Sequence, residues 1–297
     1  MRAAGSNRGQ GILLSLLAYA LFSVHDATVK WLVADLPVSE VLFFRSVAIL
    51  IACLAIGRQR LLERALASRM KKPLVLRSSM ILVAFFLYFT AARSLPFAEL
   101  LSLYFAAPLI VTMLAAPMLG ERVSPGNWLA VLVGFMGVMV VTDPLGLRIS
   151  LPALLVLVAA ALWAYGVILA RQIARYESSL VQILYGSVVF TLGTGVASLF
   201  SWRMPSGGEL VLLVGVSVFG GLAQFVLFES VRLAAASVLA TVEYSSLLWA
   251  FVLGYVIWGD IPPVATFAGA GLILLAGLLL VASERRDARR LASQSPR

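Results

Sequence analysis

Charged and titratable side chains stand inside long apolar runs of this sequence, among them His25, Asp26, Lys30, Glu40, Arg45, Glu99 and Glu243. In hydrocarbon such a group can pair with an opposite charge, carry a proton or grip a polar ligand, because leaving it alone costs several kcal/mol. Asp26 lies a few residues before the end of the first run and Arg45 a few after the start of the second, so at 1.5 Å per residue both sit about 10 Å from the same membrane face. Lys30 and Glu40 match in the same way, close to that face. The spacing therefore predicts two ion pairs, Asp26–Arg45 and Lys30–Glu40, locking the first two helices together. The alternative is that Asp26 or Arg45 lines a cavity, coupling a proton or gripping an anion. His25 is the single histidine. It points about 100° away from Asp26 on a helix, toward a hydrogen bond on a neighbouring helix or a protonation near neutral pH.

Two polar faces stand beside these charges. Glu99, Ser102 and Ala106 share one helix face, and Thr241, Tyr244, Ser245 and Leu248 share another. Small and hydroxylated residues suit close helix packing as well as binding. Glu99 lies near a membrane surface, whereas Glu243 lies deeper with no partner at its own depth. The aromatics Tyr19, Tyr88, Tyr104, Trp163, Tyr165, Tyr185, Tyr244 and Trp249 mostly stand away from the helix ends, where an interfacial belt would put them. They serve packing or offer faces on which a planar heterocycle stacks. The candidate substrate-binding set is thus His25, Asp26, Tyr88, Glu99, Ser102, Tyr104, Trp163, Tyr165, Thr241, Glu243, Tyr244 and Ser245. One histidine and one cysteine cannot build a His–Cys metal cluster. No phosphate-binding loop, zincin helix or nucleophile elbow is present, so neither a cofactor nor a catalytic residue is expected.

The elements that hold these residues follow from composition. Of 297 residues, 61% are hydrophobic and 12% charged, against about 25% charged in a soluble domain. The apolar runs cover about 11–32, 38–56, 74–92, 98–119, 124–142, 151–170, 180–200, 210–231, 236–258 and 264–282. They are close to the length that spans a bilayer, do not alternate, and are too long for barrel strands. The expected fold is an all-α integral membrane protein of ten transmembrane helices in a lipid bilayer. The net charge of +9 lies in short segments between runs, which is topology information and not a nucleic-acid-binding face. Cys53 sits alone in an apolar run and reads as a small buried hydrophobe. The first run shows no small-residue cleavage site and reads as a retained helix.

Cations fix the expected orientation. Arg2, Arg8, the cluster from Arg58 to Arg77, Arg122, Arg171, Arg175, Arg232 and the tail from Arg285 fall on one side. Lys30, Arg93, Arg148 and Arg203 fall on the other. The bias places both termini in the cytoplasm of a multi-pass protein of the cell inner (plasma) membrane. The chain also repeats itself. Leu119-Gly120-Glu121 and Trp258-Gly259-Asp260 stand 139 positions apart, and the same shift lays Arg93 on Arg232 and Ser102 on Thr241. Five helices per copy force the second to enter the membrane upside down, giving two inverted five-helix repeats, 1–148 and 149–284, and a basic tail, 285–297. The polar faces of helices four and nine then confront each other. Gly134 and Gly137 of helix five, with Gly269, Gly271 and Gly277 of helix ten, read as close-packing surfaces within one copy or between two in a homodimer.

Two five-helix halves, each closing with an apolar run, Gly-Glu or Gly-Asp and a Gly-rich last helix, resemble the drug/metabolite transporter superfamily of EamA type. Phe43-Phe44-Arg45-Ser46 and Phe105-Ala106-Ala107-Pro108-Leu109 are similar to the branch of bacterial riboflavin and S-adenosylmethionine carriers. The resemblance implies a secondary carrier of a small molecule working by alternating access, its cavity lined by helices one, three, four, six, eight and nine. Riboflavin uptake is the leading expectation, then S-adenosylmethionine or an amino acid. A membrane enzyme acting on a lipid would need acids or histidines clustered at one membrane face, and a sensor or scaffold would need a signalling domain. The sequence offers neither.

Overall fold

The computed structural model describes residues 2–119, 125–141, 150–173, 175–233, 242 and 245–294. Helix is the regular structure throughout them. The helices are α1 (Arg2–Asp35), α2 (Val38–Ala67), α3 (Lys71–Ala92), α4 (Phe97–Tyr104), α5 (Ala106–Leu119), α6 (Pro125–Val141), α7 (Leu151–Ile173), α8 (Ser179–Ser198), α9 (Gly207–Leu233), α10 (Ser245–Leu253) and α11 (Val264–Gln294). A π-helical turn, Gly254–Trp258, extends α10, and Gly259 ends it in the left-handed conformation at φ 69°, where a Cβ would be strained.

Five stretches among the described residues are long and apolar enough to cross a bilayer: Gln10–Asp35, Val38–Ala67, Lys71–Ala92, Leu151–Ala170 and Leu180–Ser198. Five shorter apolar stretches accompany them: Phe97–Val111, Trp128–Val141, Gly207–Ala223, Ser245–Trp258 and Val264–Leu279. The expected fourth span is two helices, with the break at Phe105 between α4 and α5. Pro108 explains it, for it has no N–H to give the Tyr104 carbonyl four residues earlier. α2 outruns its apolar stretch and bends at Arg58, whose φ of 49° follows Gly57.

Packing is pairwise. α1 lies along α9, α2 along α8, α3 along α7 and α6 along α11, while α10 touches α4 and α1. The larger core joins α1, α2, α3 and α4 through residues such as Leu32, Leu42, Phe89, Phe97 and Leu103. A smaller core, around Leu61, Leu74, Ile173 and Val181, closes the opposite end. Leu132, Phe135, Leu192 and Val214 point outward and are well exposed, as lipid-facing side chains should be.

Two expected ion pairs are not formed among the described residues. Lys30 Nζ donates to the carbonyls of Ala92 at 2.6 Å and Leu95 at 2.7 Å, not to Glu40. Those carbonyls lie where α3 ends, and a helix C-terminus leaves such acceptors free. Glu40 accepts from the backbone N–H of Arg203 at 3.1 Å, and the Arg203 guanidinium donates to the Asp35 carbonyl at 2.7 Å. Asp26 bonds His25 rather than Arg45.

Candidate functional site

The candidate site is built on α3. Phe85, Tyr88 and Phe89 recur at the spacing that stacks side chains on one helix face. Phe85 packs edge-on to Phe89 at 5.7 Å between centroids and to Phe190 of α8 at 5.5 Å, and lies 6.2 Å from Trp163 of α7. Tyr88 lies edge-on to Tyr104 at 5.1 Å, and Tyr104 is 6.3 Å from Trp163. The rings therefore close a loop through α3, α4 and α7, with α8 behind. Tyr104 enters the loop at the break between α4 and α5, so the proline that interrupts the helix also places the ring.

Arg45 of α2 brings the charge. Its guanidinium carbon stands 5.0 Å from the Phe85 centroid, a cation over an aromatic face. Its Nε is buried with no hydrogen-bond partner, and so is the Tyr88 hydroxyl. Unpartnered buried donors are costly in a finished core; here two lie beside one aromatic loop. Asp26 acts electrostatically on both Arg45 and Tyr88. The cluster offers ring faces for stacking, a guanidinium and a phenol for hydrogen bonds to ligand oxygens, and a carboxylate that balances the cation.

His25 is also at this level of α1. Its Nδ1 stands 2.8 Å from Asp26 Oδ1, so its partner is its own neighbour and not another helix. The ring rests on α9 at Gly220, where an added Cβ would come within 2.9 Å of it.

Tyr165 packs against the smaller core. The buried Ser102 hydroxyl donates to its own helix at the Ala98 carbonyl, 2.7 Å away. Glu99 is half-buried in the first turn of α4. The Ser245 hydroxyl, at the start of α10, is buried and unpartnered. Tyr185 ties α8 to α2 by donating to the Ala65 carbonyl at 3.0 Å, Tyr19 packs near Phe22, and Trp249 is exposed. Thr241, Glu243 and Tyr244 lie outside the described residues. Sequence reasoning missed Phe85, Phe89, Phe190 and Gly220. The three-and-four spacing around Tyr88 was the available signal for the first two.

Helices long and apolar enough to cross a bilayer make this a multi-pass membrane protein, and the guanidinium, carboxylate and aromatics held between them are its candidate site. The chain belongs to the EamA-like transporter family, whose model matches it twice, over residues 9–143 and 150–282. It is 27% identical over 200 residues to a riboflavin transporter of Vibrio cholerae, covering 67% of each chain. It is 29% identical over 276 residues to the pseudopaline exporter CntI of Pseudomonas aeruginosa, covering 91% of this chain and 95% of the exporter. It is 26% identical over 283 residues to an S-adenosylmethionine uptake transporter of Rickettsia prowazekii, covering 93% and 94%. A crystal structure with 19% sequence identity shares the fold at a TM-score of 0.63, covering 94% of this chain and 99% of its own.

Proposed function

We propose that this protein is a secondary carrier that moves riboflavin into the cell across the inner membrane by alternating access. The observation that carries the reading is the loop of Tyr88, Tyr104 and Trp163 closed against Phe85 and Arg45. A flavin is planar and rich in ring carbonyls. It can stack on such faces while its oxygens accept from a guanidinium and a phenol.

S-adenosylmethionine is the second reading, supported by the relative that this chain matches over 93% of its length. Its sulfonium would also lie well on aromatic faces. Arg45 weighs against it, because a fixed cation repels another in a site of low dielectric.

The two halves are proposed to be inverted repeats, with both termini cytoplasmic. Exchanging five spans for the next five turns the α1–α9 packing into α7–α3 and returns α2–α8 and α6–α11 to themselves. These are the extensive packings of the bundle. Gly271 faces open space, which leaves a surface for a homodimer.

The test is counterflow in proteoliposomes loaded with unlabelled riboflavin or S-adenosylmethionine. Riboflavin is expected to exchange. Trp163→Ala and Tyr104→Ala should each raise its KM about tenfold, as loss of about 1.4 kcal/mol of stacking implies. Exchange of S-adenosylmethionine alone would transfer the assignment to the second reading, and exchange of neither would refute both.

A further inference from the structure

We propose that His25 and Asp26 together form the site that binds a coupling proton in this protein. The inference rests on the carrier reading and adds what drives it.

With Asp26 ionised, the geometry assigns the hydrogen between the two groups. His25 is 2% exposed, and its Nδ1 is 2.8 Å from Asp26 Oδ1. An ionised carboxylate only accepts, so Nδ1 carries the hydrogen and Nε2 holds a lone pair. Nε2 is buried and has no partner. It faces α9, where a Cβ on Gly220 would sit 3.2 Å from it. Only a glycine lets the imidazole lie this close to the facing helix. α1 belongs to the first match to the family and α9 to the second. The free lone pair therefore lies in the seam between the two units, the boundary that alternating access must part.

Charge then ties protonation to that parting. With His25 neutral, the Asp26 carboxylate and the Arg45 guanidinium balance. A proton on Nε2 leaves the trio with one net positive charge, which a dry, packed seam disfavours. When α1 and α9 separate toward one side, water reaches Nε2. The lone pair takes a proton from hydronium, an N–H bond forms, an O–H bond breaks and water is left. Closing the seam and opening it to the other side reverses the step.

The surrounding helices supply few other charges. Arg45 comes from α2 and Tyr88 from α3. The stretch of α9 from 213 to 227 contains no acid or base. In α10 and its π-helical turn the one titratable group is Tyr255, which is exposed. Lys30, one turn along α1, is committed to the carbonyls of Ala92 and Leu95.

Because the chain has one histidine, its full-length form with a histidine-free affinity tag and 15N-labelled histidine reports a single ring. In lipid nanodiscs Nε2 is expected to pass from bare to protonated as the pH is lowered, and saturating riboflavin is expected to move the midpoint. In proteoliposomes, an imposed pH gradient should raise riboflavin accumulation in the wild type, and H25Q should lower that accumulation at least about fivefold. A ring whose Nε2 stays bare down to the lowest pH at which the protein remains folded overturns the proposal, whatever riboflavin does. So does a ring that titrates without responding to bound riboflavin, or riboflavin counterflow indifferent to the gradient. If riboflavin neither binds nor exchanges, the substrate assignment fails by itself, and the titration of the ring alone decides whether the site exists.

Discussion

α6 and α11 meet at two glycines, and this contact sets a sharp expectation for stability. A Cβ on Gly137 would lie 2.8 Å from the Gly269 carbonyl oxygen and 3.0 Å from the Ile273 amide nitrogen. A Cβ on Gly269 would lie 2.6 Å from the Gly137 carbonyl oxygen and 3.0 Å from the Val141 amide nitrogen. These neighbours are backbone, so no rotamer change relieves them and the helices must move apart. Gly→Ala within a helix otherwise gains about 0.5–1 kcal/mol, while overpacking costs about 1–3 kcal/mol. The clash with backbone on both sides puts G137A and G269A at the upper end, a net loss of about 1–2 kcal/mol each. Because the two positions share one contact, the double variant should lose less than the sum. Gly271, two residues on, meets nothing within 4 Å, so G271A is the control and should hold or gain stability. Thermal unfolding of purified protein in one detergent, followed by tryptophan fluorescence, measures all four. If G137A melts with the wild type, or G271A falls as far as G269A, the close approach of α6 and α11 is not as described.

Removing the Lys30 ammonium should cost more than its position suggests. K30M strands two buried carbonyls and is expected to lose about 2–3 kcal/mol, at the scale of hydrogen bonds to a charged group; a change below about 0.5 kcal/mol in the same melting assay would refute the role. Exchanging Asp26 with Arg45 should not restore folding, because each has its own contact, His25 Nδ1 and the Phe85 ring. The double variant D26R/R45D should show no more monodisperse protein by size exclusion than the worse single variant, and recovery to the wild-type yield would mean that the two form a direct pair.

The helical spans were legible because lipid exposure is written in local composition. A run of apolar residues needs no knowledge of its neighbours to be read as a span, and all ten runs contain apolar helix. The break between α4 and α5 was just as local, since Pro108 alone implies a carbonyl without its donor at Tyr104. It escaped because hydropathy averages over a turn and is blind to one missing N–H.

The charges were harder for a different reason. Matching depth fixes one coordinate of a side chain, the distance along the membrane normal. Rotation about the helix is a second, and the backbone is a competitor that depth matching leaves out. Depth matching put Lys30 and Glu40 at one level, but Lys30 finds the carbonyls at the end of α3 and Glu40 the amide of Arg203. An ammonium on a flexible stem gains more from two fixed acceptors than from one mobile carboxylate, since less side-chain freedom is lost per bond. The aromatic loop fails from sequence in the opposite way. Tyr88, Tyr104 and Trp163 are visible as unusual residues, but Phe85 is what joins them to Arg45, and its spacing from Tyr88 places it on a helix face without saying which helices that face meets. What distinguishes it is the convergence of α2, α3, α7 and α8 on one ring, a property of the packing between segments far apart in the chain.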